Sequence, residues 1–130
     1  MIKTIDSSGA PVALGPYSHA VKAGNMIYTA GQIPLDPDTE EIVEGGIREQ
    51  TEQVMLNLAN VLAEAGASFK DVVKATVYLK NLSDFYGMNL VYAQFLEDHR
   101  PARACVEVNR IPKDALIEID LIAIVNNETY

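Results

Sequence analysis

A chain of 130 residues is the length of one ordinary domain, too short to divide into two, and its 48% of apolar residues can build a core. The net charge of −8, with ten scattered Lys and Arg, disfavours nucleic acid, whose phosphates are held by clustered cations. One cysteine, Cys105, excludes an intramolecular disulfide and suits a reducing compartment. The opening residues Met1 to Asp6 have no apolar stretch followed by a small-residue cleavage site. The longest apolar runs, such as 121–125, fall far below the roughly 20 residues that cross a bilayer. A cytoplasmic protein is the expectation.

Residues 2–5 allow a first short strand. Pro11, Gly15 and Pro16 mark 7–16 as loop. Segments 17–21 and 26–30 read as strands of a hairpin turning through Ala23-Gly24-Asn25. Asp36-Pro37-Asp38-Thr39 is a turn. Its acids lack the glycine and distal glutamate of a calcium loop at the right offsets. The clearest helix covers 47–65, where Ile47, Val54, Met55, Leu58, Val61, Leu62 and Ala65 recur at three- and four-residue steps. Gly45-Gly46 precede it and Gly66 stops it. Segment 71–80 alternates, with Val73, Ala75, Val77 and Leu79 facing one way, as a half-buried strand does. A second helix over 84–96 places Phe85, Met88, Tyr92 and Phe95 on one side, and strands 102–108 and 116–125 follow, parted by a turn at 111–114. The pattern predicts one α+β domain, 1–130, with two helices on one face of a mixed sheet.

The last strand carries the functional signal. Ile117, Ile119, Leu121, Ala123 and Val125 fit a face beneath helices. Leu116, Glu118, Asp120, Ile122 and Ile124 mix carboxylates with large aliphatics on the other face. A solvated face carries less Ile and Leu, and a dry core carries no pair of carboxylates. The mixture fits a face half covered by another subunit, with a polar pocket at one end. On the preceding strand Ala102, Ala104, Val106 and Val108 alternate with Arg103, Cys105 and Glu107. If the two strands are neighbours, Arg103, Cys105 and Glu118 converge on the uncovered face. There Arg103 could grip a carboxylate and Glu118 could accept a proton from water.

Blander readings stand beside this one. Alternation alone favours a cross-strand Arg–Glu ion pair worth about 0.2–1 kcal/mol. Cys105 reads as a small buried hydrophobe. His19 and His99, isolated in sequence, read as structural or surface residues, and with one cysteine they make no convincing metal site. Tyr17, Tyr28 and Tyr78 read as core or interface residues.

Four segments taken together carry a family resemblance: Gly15-Pro16-Tyr17-Ser18, Gly31-Gln32-Ile33-Pro34, Pro101-Ala102-Arg103-Ala104-Cys105-Val106-Glu107-Val108 and Ile117-Glu118-Ile119-Asp120. In that order, over 10–125, they resemble the YjgF/RidA family of reactive-intermediate deaminases. The resemblance implies a chorismate-mutase-like fold and a homotrimer with a central β-barrel and clefts between subunits. It implies hydrolysis of enamines and 2-imino acids, released by pyridoxal-phosphate dehydratases, to 2-keto acids and ammonia, with no cofactor or metal. Arg103 matches the residue that holds the substrate carboxylate, Gly31 a backbone N–H donor to it, and Glu118 the holder of the attacking water. Tyr17, Asn89 and Cys105 match pocket-lining positions, with Tyr17 contributed across the interface. The chain departs from many relatives at Ala30, where they carry serine, and in a short 97–100 connection; both bear on substrate preference. A module that binds a small carboxylate without turnover, and acts through a partner protein, is the alternative. A ribonuclease, a label carried by some relatives, is disfavoured by the charge. A chorismate mutase rests on fold analogy alone.

Overall fold

The computed structural model describes residues 1–126. Eight principal elements follow in order: β1 (Ile2–Ile5), β2 (Ala20–Ala23), β3 (Met26–Thr29), α1 (Ile47–Glu64), β4 (Val72–Leu79), α2 (Phe85–Leu96), β5 (Ala102–Glu107) and β6 (Ile117–Ile124). They form an α+β structure whose six strands make one mixed sheet in the order β1-β2-β3-β6-β4-β5. Every neighbouring pair is antiparallel except β4 and β5. A parallel pair needs a crossover, and α2 supplies it.

The alternation of β4 and β6 fixes which face is dry. Ala75, Val77 and Leu79 pair with Leu121, Ile119 and Ile117, and all six are buried. Against them α1 lays Val54, Met55, Leu58, Val61 and Leu62, and α2 lays Met88, Tyr92 and Leu96. Burying such side chains stabilises by about 1.5–3 kcal/mol each, which holds both helices on one face. The start of α1 is tied by the Gly46 N–H donating to the Glu49 carboxylate at 2.8 Å. Its end is closed by Gly66 at φ +84°, with Gly66 N–H on Ala63 O and Ala67 N–H on Leu62 O.

Three expectations are corrected by this geometry. The second strand is Ala20–Ala23, not 17–21. Residue 17 still belongs to the loop: its N–H donates to Gly15 O, its hydroxyl accepts the Leu14 N–H, and the His19 N–H goes to an Asp6 carboxylate oxygen rather than to a strand. Val73 turns outward at 44% exposure because a register shift between Val72 and Lys74 breaks the alternation and buries Val72 instead. Most consequential, β5 and β6 are not neighbours, since β4 lies between them.

α1 also fastens the irregular segments that surround β6. Asn57, fully buried, donates to Ile33 O at 3.3 Å and Leu35 O at 3.0 Å, while Gln53 donates to its carbonyl oxygen at 2.9 Å. Gln50 accepts the Leu116 N–H at 2.8 Å. The Ile33 carbonyl keeps the Leu35 N–H at 2.8 Å, but Leu35 O loses its donor, so Asn57→Ala is expected to cost about 1–3 kcal/mol. Leu56→Ala, on the exposed side of the same helix, should cost less than about 0.5 kcal/mol. Urea denaturation of both variants at one protein concentration checks this, and equal losses would contradict it.

Candidate functional site

Glu118 stands on β6 opposite Tyr78 of β4, on the sheet face that no helix covers. Two residues on, Asp120 accepts the Tyr78 hydroxyl at 2.9 Å, so that carboxylate is engaged. The Glu118 carboxylate has no hydrogen-bond or ion-pair partner among the described residues. It is half buried, and that burial, helped by the negative charge of Asp120, raises its pKa above the ordinary glutamate value.

The segment after β3 is drawn over Glu118 by a two-way backbone bridge: Gln32 N–H to Ile119 O at 2.9 Å and Ile119 N–H to Gln32 O at 3.2 Å. This seats Gly31 against the carboxylate so closely that a Cβ there would lie 2.9 Å from Glu118 Cδ. Any side chain there has to push the Glu118 carboxylate aside. The neighbouring N–H groups of Ala30 and Gln32 are bonded, to His19 O and Ile119 O, whereas the Gly31 N–H has no partner among the described residues. Leu14, Tyr17, Ala30, Ile33 and Pro112 complete a pocket of about 330 Å³ around Gly31 and Glu118. The loop that brings Leu14 and Tyr17 here is latched by buried His19, which accepts the Ser7 N–H at one ring nitrogen and holds Pro11 O at 2.7 Å with the other.

Arg103 lies elsewhere. In the parallel register β5 sets Arg103 beside Ala75 and Cys105 beside Val77, which puts both side chains on the helix-covered face, at the sheet edge. The guanidinium lies over two rings of α2, its Cζ 4.9 Å from the Tyr92 centroid and 5.4 Å from that of Phe85. One terminal nitrogen donates to Asn89 Oδ1 at 2.7 Å, with Met88 Sδ at 3.9 Å. No carboxylate answers it: the ion pair formed among the described residues is Lys80–Asp114. An unpaired guanidinium keeps a free edge for an anion. The Cys105 thiol packs against the core, and burial pushes its pKa up, only partly opposed by Arg103. It stays a protonated thiol, a poor nucleophile.

The structure thus brings Tyr17, Gly31 and Glu118 together, and separately Asn89, Arg103 and Cys105. It does not gather Arg103, Cys105 and Glu118 on the uncovered face, because β4 intervenes and the register turns Arg103 and Cys105 toward the helices. Strand periodicity also missed the ring platform. Phe85 and Tyr92 belong to the stripe Phe85, Met88, Tyr92 and Phe95 that helical spacing predicts, with Asn89 one turn from each, and that stripe was the available signal. Glu107 is spent on structure, accepting the Leu82 N–H at 2.8 Å.

A family model described as endoribonuclease L-PSP matches residues 7–125. A RutC family protein of Pyrococcus abyssi is 55% identical over 121 residues, 93% of this chain and 95% of that protein. The 2-iminobutanoate/2-iminopropanoate deaminase of Escherichia coli K12 is 46% identical over 127 residues, 95% of this chain and 98% of the relative. Among solved structures, E. coli TdcF with bound serine superposes with a TM-score of 0.91 at 40% identity, covering 95% of this chain and 99% of that one. On these matches and the fold they share, the chain belongs to the endoribonuclease L-PSP family, the YjgF/RidA family that its strand motifs resemble.

Proposed function

We propose that the protein is a hydrolytic deaminase, converting 2-imino acids and their enamine precursors from pyridoxal-phosphate dehydratases into 2-keto acids and ammonia. The observation that carries this reading is a pair of complementary groups, each left without its counterpart. An unpaired guanidinium stands on one face of the sheet, and an unpaired, half-buried carboxylate beside a free N–H stands on the other. The E. coli relative named as an iminobutanoate deaminase supports the reaction, and the serine bound to TdcF supports a small α-carboxylate as ligand.

Opposite faces of one sheet cannot share a small ligand, so the site is proposed to form between copies. Arg103, Asn89 and Cys105 come from one protomer; Tyr17, Gly31 and Glu118 come from the next. The uncovered face, with Tyr28, Val106 and Ile124 exposed at 45%, 43% and 42%, suits the proposed homotrimer, in which three sheets enclose a central barrel. In the proposed mechanism Arg103 and the Gly31 N–H hold the substrate carboxylate, which orients the adjacent C=N carbon. Glu118 takes a proton from a water whose oxygen attacks that carbon. The proton passes to nitrogen; the adduct's hydroxyl then gives its own proton to the same nitrogen as C=O forms, the C–N bond breaks, and ammonia leaves a 2-keto acid. No metal or cofactor takes part in this scheme. Imine hydrolysis in water is already fairly quick, so modest transition-state stabilisation suffices.

The test is turnover: with a threonine dehydratase and threonine, the protein should hasten 2-keto acid formation. A module that only binds carboxylates would leave the rate unchanged. Arg103→Ala should abolish the acceleration while sedimentation still reports the assembled protein; full activity in that variant would sink the assignment. The shared site predicts complementation as well. Assemblies of Arg103→Ala and Glu118→Gln protomers mixed in equal amounts would have intact pairs at roughly a quarter of their sites. Activity should return in the mixture, and its absence would put both groups within one protomer.

The raised pKa of Glu118 sets a pH dependence. The base form exists only above that pKa, so kcat/KM should fall on acidification at a pH above the ordinary glutamate value. Asp120→Asn removes the neighbouring negative charge and should move this limb to lower pH. Because burial is the larger cause, the limb should stay above the ordinary value. A limb unmoved by Asp120→Asn would contradict the electrostatic account. Gly31→Ala forces the Glu118 carboxylate aside and should lower kcat on the order of tenfold or more, with stability falling by about 1 kcal/mol or less; paired kinetic and denaturation curves test the split.

A further inference from the structure

The cleft that holds Arg103 contains a second cation. Arg100, in the sharp turn after α2, lines the same cleft of about 400 Å³ with Asn89, Tyr92, Ala93 and Pro101. That turn is set by Glu97 at φ +55°, and the Arg100 guanidinium is tethered to it through Glu97 O and, at 2.8 Å, His99 O. These are carbonyl contacts through one nitrogen, which leave the charge uncompensated and the second terminal nitrogen available. Neither Arg100 nor Arg103 forms an ion pair among the described residues, although the chain carries 18 Asp and Glu against 10 Lys and Arg. Two guanidiniums left unpaired at one cleft of so acidic a protein stand in a place made for negative charge.

Tyr92 supplies an independent observation. It is only 7% exposed, yet its hydroxyl has no hydrogen-bond partner among the described residues. Buried hydroxyls are nearly always bonded, so Tyr92, a residue of the cleft wall, keeps an unspent donor there. Tyr92, Arg100 and Arg103 line the same cleft, and the Arg103 guanidinium lies 4.9 Å from the Tyr92 ring centroid. The cleft is therefore rich in donors. The side-chain acceptor in its wall, Asn89 Oδ1, is already taken by Arg103.

One carboxylate satisfies Arg103 and leaves Arg100 and Tyr92 unanswered. We infer that the site takes dicarboxylic 2-imino acids, the imines of acidic amino acids, with Arg100 as the specificity-determining residue that receives the second carboxylate. This rests on the deaminase reading for the fate of the ligand, but its recognition chemistry can be measured without turnover.

Calorimetric titration of the intact protein with keto-acid products tests it. The probes are 2-oxoglutarate and oxaloacetate, with two carboxylates, and 2-oxobutanoate, with one. The better dicarboxylate should bind about tenfold tighter than 2-oxobutanoate, the gain of one charge-assisted contact. In Arg100→Gln that ratio should fall to near one, and Arg100→Lys, which keeps the charge, should retain most of it. A ratio near one in the unaltered protein overturns the inference, as does an undiminished preference in Arg100→Gln. Turnover of 2-iminobutanoate is assayed separately. If neither it nor 2-iminoglutarate is hydrolysed faster with the protein present, while the Arg100-dependent preference holds, the deaminase reading is overturned and two-carboxylate recognition stands.

Discussion

Strand β6 is hydrogen-bonded along both edges, to β3 on one side and β4 on the other, and its two faces answer to different demands. Ile117, Ile119, Leu121 and Ala123 must be apolar because both helices pack there. Glu118 and Asp120 alternate with them on the face left open, so their positions are fixed by the same ladder that fixes the core. The bridge from Ile119 to Gln32 then carries Gly31 over the Glu118 carboxylate. Packing and site geometry are thus one constraint. A slip of β6 by one residue would expose the core set and bury the acids together.

The groups proposed to do chemistry are also those the fold leaves unsatisfied. Glu118 is half buried with no counterion, so its ionised form is disfavoured in the folded protein. Its raised pKa means that stability declines as pH climbs from the ordinary glutamate value through the folded one. Arg103 is held by two ring contacts and one hydrogen bond instead of a carboxylate, which fixes its position while sparing its charge. Tyr78–Asp120, by contrast, is a closed pair. The contrast between closed and open polar groups on one sheet points to the site more sharply than any single residue type.

Much of the fold was legible because its signals are local. The stripe of α1, its glycine stop and the alternation of β6 each follow from a period that the core enforces. What escaped depends on partners distant in sequence. Whether β5 lies beside β6 cannot be read from a short turn at 111–114, since β6 has to span the gap between β3 and β4. The face taken by Arg103 depends on its register with Ala75, which only the parallel pairing sets. Val73 turned outward because a bulge costs little where Val72 can replace it inside. The motifs marked Tyr17, Gly31, Asn89, Arg103, Cys105 and Glu118 as one set, but not the two faces on which the fold distributes them.

The central strand is also the last of the sheet to be made. Leu121 reaches back across 92 residues to the Thr29 hydroxyl, so the middle of the sheet joins the ends of the chain in time as well as in space. Until residues 117–124 leave the ribosome, β3 and β4 each present an open hydrogen-bonding edge beside an uncovered apolar face. Helices and hairpin can form early from local contacts, but the layer between them stays split and exposed to strands of other nascent chains. The slot between β3 and β4 is filled by the one strand synthesised after all the others in the sheet.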